Sequence, residues 1–61
     1  MIESDVAYFR RRAAEETFAA GRADHETARQ AHLELATRYR ELVAGIMADQ
    51  HRLGLDLDNA A

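Results

Sequence analysis

The chain has 61 residues with no Cys, Pro or Trp, and its 11 acidic and 8 basic side chains leave a formal charge of −3. A chain this short buries only about 60% of its unfolded surface, and without cysteine neither a disulfide nor a cysteine-ligated zinc can staple it, so self-association is the remaining route to a stable fold. The negative balance argues against nucleic acid as a general partner, because that affinity is dominated by phosphate neutralisation.

No apolar run approaches the roughly 20 residues of a membrane span. The start Met1-Ile2-Glu3-Ser4-Asp5 lacks the basic-then-apolar profile of a secretion signal. Both observations point to a cytoplasmic protein with no membrane partner. All eight basic residues are Arg, and the wealth of Ala, Arg and Glu favours helix almost throughout. The expectation is a single all-α domain over 1–61.

The first helix is expected over about residues 4–20. Ser4 can cap its free amides, with Glu3 and Asp5 at the positive end of the dipole. Its inner stripe steps by four and three through Ile2, Val6, Phe9, Ala13, Glu16 or Thr17, and Ala20. Gly21 is expected to end it as a left-handed C-cap. Arg22 and Ala23 then lead to Asp24, read as the cap of a second helix with Glu26 in its first turn. A connection of three or four residues makes antiparallel neighbours.

The second helix is expected over about residues 24–53, roughly 40 Å long. Ala28, His32, Leu35, Tyr39, Leu42, Ile46, Asp49 and Leu53 form one stripe, edged by Ala31 and Val43. Gly45 within it costs up to about 1 kcal/mol relative to Ala and reads as tolerated. Gly54 is a fair C-cap, and residues 54–61 form a short acidic tail. The pair is an antiparallel helical hairpin.

A turn near residue 22 makes facing residue numbers sum to about 45. Phe9 is then expected near Leu35 and Ala36, Val6 near Tyr39, and Ile2 near Leu42 and Val43. The expected hairpin core is Val6, Phe9, Ala13, His32, Leu35, Tyr39 and Leu42. Beyond it the longer helix overhangs through Ile46, Met47, Gln50 and Leu53 with nothing from its own chain to cover it. A second apolar surface is read from Ala7, Ala14 and Phe18 on the first helix and Leu33, Ala36, Ala44 and Met47 on the second. A homodimer closing into a four-helix bundle covers overhangs and second surface together, with Phe18, Leu33, Ala36, Ala44, Ile46, Met47 and Leu53 as the expected interface.

His32 occupies a stripe position where an apolar residue belongs, and a buried polar group needs a partner. Glu16, with Thr17 beside it, lies at the right level on the first helix, so a His32–Glu16 pair is expected. Metal binding has little support. The residues three before His25, His32 and His51 are Arg22, Arg29 and Ala48, so the Glu-x-x-His pattern of helical metal sites is missing. Arg10-Arg11-Arg12 resembles a nucleic-acid handle, but Arg11 is four before Glu15 and Arg12 four before Glu16, which reads as a solvated, ion-paired face. No Gly-rich phosphate loop, nucleophile elbow or catalytic pair is present. No catalytic, cofactor or metal site, enzymatic activity or small-molecule substrate is inferred.

Tyr8-Phe9-Arg10-Arg11-Arg12-Ala13-Ala14-Glu15-Glu16 and the later His32-Leu33-Glu34-Leu35-Ala36-Thr37-Arg38-Tyr39 resemble short uncharacterised all-helical proteins of alphaproteobacteria. That group carries Tyr-x-Arg-Arg-Arg-Ala-x-Glu-Glu and His-x-x-Leu-Ala-x-x-Tyr segments. The resemblance spans about residues 8–43 and implies source and fold, with no activity, ligand or site attached. Another two-helix hairpin group, the small aspartyl-phosphate phosphatases of sporulation regulators, carries a Ser-Gln-Glu-Leu-Asp signature that does not occur in this sequence.

These readings converge on a small self-associating protein-interaction or regulatory module that offers helix surfaces to a protein partner, with Arg11, Arg12 and Arg40 at the rim. The alternatives are a nucleic-acid-binding accessory protein using Arg10, Arg11 and Arg12, and a metal- or histidine-dependent bundle centred on His32 and Glu16.

Overall fold

A computed structural model describes residues 3–52. They form two α-helices, α1 (Asp5–Arg22) and α2 (Glu26–Arg52), joined by residues 23–25. Ser4 caps α1, its Oγ accepting from the Ala7 N–H at 3.1 Å, with Asp5 in the first turn and Arg22 in the last, both favourable to the dipole. The two helices pack on each other as an antiparallel hairpin. No helix among the described residues is long and apolar enough to cross a membrane.

Both inner helix ends differ from the expected ones. α1 runs through Gly21 to Arg22 and stops at Ala23 in extended backbone (φ −68°, ψ 136°), whose N–H donates to the Ala20 carbonyl at 3.3 Å. Gly21 is therefore a helical residue and not a left-handed cap. α2 begins at Glu26, and the Arg29 N–H donates to the His25 carbonyl at 3.0 Å. The half-in residue at the start of α2 is thus His25 rather than Asp24. Leu53, Gly54 and the acidic tail lie outside the described residues, as does Ile2.

These shifts move the turn centre to Asp24 and change the register. Phe9 stacks on Tyr39, ring centroids 5.9 Å apart, and Glu16 meets His32, so facing numbers sum to 48 rather than 45. Phe9 accordingly faces Tyr39 and not Leu35. In this register the start of α1 lies level with Val43, and α2, nine residues the longer, runs on for about 14 Å.

The seam between the helices is built from small side chains. Ala13, Ala20 and Ala36 are buried, Ala36 completely, together with Glu16, and no large side chain is fully buried. Val6, Phe9, His32, Tyr39, Val43 and Ile46 are half-buried. Two expectations are corrected here. Leu35 and Leu42, assigned to the core, are each 43% exposed, and Ala36, assigned to an outer interface, is 0% exposed.

One residue of helix rotation accounts for both corrections. The inner stripe of α2 runs through His32, Ala36, Tyr39 and Val43, and its 100° turn per residue puts Leu35 and Leu42 on the adjoining edge. Apolar periodicity finds a stripe, but the partner's size decides which part of it faces inward. Against Ala13, an alanine allows a closer helix approach than a leucine does.

Candidate functional site

Glu16 is the only buried charged residue among those described, and it sits where α1, α2 and a run of ion pairs meet. Arg11 grips Glu3 with two nitrogens, Nε at 3.2 Å from Oε2 and Nη2 at 3.1 Å from Oε1, and also reaches Glu15 Oε2 at 2.8 Å. Arg12 contacts the other Glu15 oxygen and donates to Glu16 Oε2 at 2.7 Å. Glu16 Oε1 lies 2.6 Å from His32 Nδ1, closing a line that starts at Glu3, just before α1, and ends on α2.

Helical spacing produces most of this line, because residues three and four apart share a face. The Glu16–His32 link instead depends on the register, being the hydrogen bond that joins α1 to α2 from within the seam. The His32 hydrogen bond, with help from Arg12, holds the Glu16 carboxyl below its ordinary range against the opposing effect of desolvation. Glu15 is lowered by Arg12 and Arg11. An ionised Glu16 only accepts, so His32 Nδ1 carries the proton in this contact. Arg12 also lies over the Tyr39 ring, 5.3 Å from its centroid, and Arg11 over Tyr8 at 5.2 Å. Away from this network Glu26 is lowered to about 2 by Arg29 and Gln30.

The other side of the hairpin is different. An open groove of about 520 Å³ lies between the helices, lined by Arg10, Ala13, Ala14, Thr17, Phe18, Arg40 and Val43. Its lining contains no carboxylate. Arg40 donates to Thr17 Oγ1 at 2.8 Å, and that hydroxyl donates to the Ala13 carbonyl at 2.9 Å. Phe18 is 66% exposed, with the Arg22 guanidinium 5.6 Å from its ring centroid.

Of the residues read from the sequence, His32 and Glu16 are brought together, Phe18 and Met47 are exposed, and Leu33 is half-buried beside Gln30, Glu34, Thr37, Arg38 and Glu41. Ala44 is exposed and Ile46 half-buried on the overhang. Sequence reasoning assigned Tyr8 no site role, and it read Arg10 only together with Arg11 and Arg12, not as a cation apart from them. A signal for Arg10 was present: its neighbours at three and four positions on are Ala13 and Ala14, so it lacks the acids that occupy Arg11 and Arg12.

Among the described residues no three His, Asp or Glu side chains converge as a metal site would require. No protein family, curated protein or solved structure matches the chain.

Proposed function

We propose that the chain is a small, non-catalytic protein-interaction module that first associates with a second copy of itself. The observation that carries this reading is the distribution of apolar mass. The seam buries three alanines, whereas Tyr8, Phe18, Leu35, Leu42 and Met47 are each about two-fifths exposed or more. A leucine fully withdrawn from water contributes about 1.5–3 kcal/mol, and an alanine seam forgoes most of that.

The contact we favour runs along the α2 edge carrying Leu35 and Leu42, continued by Ile46 on the overhang, with Tyr8 beside it. The edge abuts the Glu3-Arg11-Glu15-Arg12-Glu16 line, where cations and anions alternate and compensate. Two copies related by a twofold axis place the same surface against itself, so an apolar edge with a neutralised rim suits that contact. Two copies meeting through the groove would oppose Arg10 and Arg40 to themselves. Of the interface residues read from the sequence, Ile46 belongs to this edge, whereas Phe18, Leu33, Ala44 and Met47 fall toward the groove side. A nucleic-acid role has less support, because two of the three consecutive arginines are held by glutamates.

Sedimentation equilibrium tests the reading. A dimer mass at micromolar concentration, dissociating on dilution, is the expected result. A monomer that keeps its helical circular dichroism at every concentration overturns it.

A further inference from the structure

We infer that the Phe18 groove docks an acidic amphipathic helix of a partner protein, with Arg10 and Arg40 receiving its carboxylates and Phe18 its apolar side chains. The inference rests on reading the chain as an interaction module, but it uses the face opposite the proposed self-association edge.

Charge carries the argument. The chain is acidic overall, and among the described residues Arg11, Arg12, Arg29 and Arg52 are each bound to a carboxylate. Arg40 is held only by the Thr17 hydroxyl, and Arg10 makes no ion pair with a described residue. These two uncompensated guanidiniums line the same groove, a third, Arg22, lies over Phe18 beside it, and no acid interrupts them. A positive apolar trough on a negative protein selects an anionic partner that also brings hydrocarbon.

Shape decides between a small anion and a helix. A small-molecule site encloses most of its ligand, whereas this groove is open along its length and Phe18 projects from its rim, 66% exposed. Its α1 wall, from Arg10 to Phe18, spans two turns, roughly 12 Å. An amphipathic helix laid along it contacts both arginines through the acids on its flank and covers Phe18 with its apolar face. Phenylalanine and arginine are also suited to being binding anchors, large or forked side chains that a partner can desolvate.

The test uses the whole chain and three synthetic peptides of about four helical turns, with Leu on one face and Glu, Gln or Lys on its flanks. The Glu peptide is expected to bind, and the Gln peptide to bind about tenfold more weakly. The double variant Arg10→Glu/Arg40→Glu is expected to reverse the order, preferring the Lys peptide. Phe18→Ala is expected to weaken Glu-peptide binding about fivefold or more. Circular dichroism checks each variant's fold. No detectable binding of the Glu peptide at millimolar concentration, equal affinity for the Glu and Gln peptides, or an oligonucleotide binding in place of the peptide overturns the inference. Sedimentation of the same samples separates the two readings: a dimer that ignores the peptides sinks only the groove proposal, and a monomer that binds the Glu peptide sinks only the dimer.

Discussion

The two long sides of this hairpin draw on the same residue types and end in opposite electrostatic states. On one side Arg11 and Arg12 have glutamates three or four positions on and are tied into a line that ends at His32. On the other, Arg10 and Arg40 have no acid three or four positions away and stay uncompensated. Three consecutive arginines therefore do not act as one basic patch. On a helix they point in three directions, and the acid a turn away decides which remain available to a partner.

The largest expected effect tests the self-association side. Leu35→Asp combined with Leu42→Asp puts two carboxylates on the proposed contact while leaving the inner seam untouched. Dimer affinity is expected to fall at least about a hundredfold, read by sedimentation, with the helical signal of the monomer retained. If the double variant dimerises as tightly as the parent, self-association uses another surface and the contrast between the sides is wrong.

Next in size is a substitution inside the seam. Ala36→Leu pushes a branched side chain into a position with no exposure and is expected to cost about 1–3 kcal/mol in urea unfolding. A neutral result would mean that the helices separate easily, and that the alanines do not set the packing.

The polar side has a pH signature. Glu16 titrates below its ordinary value because the folded protein stabilises its charged form, so its contribution is complete above about pH 4.5 and is lost as the pH falls through the lowered folded value. At neutral pH Glu16→Gln is expected to melt about 5 °C lower than the parent. The gap should narrow as the solution is acidified, because only the parent loses that carboxylate. A gap independent of pH would deny the ion pair its role.

The smallest expected effect concerns Gly45. A methyl group added there meets no atom within 4 Å, so Gly45→Ala should stabilise the chain by about 0.5–1 kcal/mol through helix propensity. If the same change instead weakens the dimer, Gly45 lies at a close contact between copies.

Much of the fold was legible in the sequence because its signals are local. The Ser4 cap, the short connection and two amphipathic stretches require only neighbours within a turn or two. The inward-facing edge of α2 was not legible. Leu35 and Ala36 are adjacent, and choosing between them depends on the partner helix's side chains and on a register set by where the turn falls. Gly21 misled for a related reason: glycine permits a left-handed cap but does not impose one, and α1 continues through it to Arg22. The His32–Glu16 contact was legible because a polar residue in an apolar stripe demands a partner and few candidates lie within reach. The groove was not, since it depends on which cations lack an acid, a property of the folded surface as a whole.

The alanine seam has a mechanical implication. Methyl groups present a nearly smooth track, with no protruding teeth to resist one rod sliding or rolling along the other. What indexes the two rods is the carboxylate of Glu16 seated against the ring of His32, together with the Phe9–Tyr39 stack and the Arg40–Thr17 hydrogen bond, which work as dowels through both. Remove them together and the hairpin keeps its helices but loses its single alignment, so sharpness of the folded state, more than its helicity, is what these cross-links maintain.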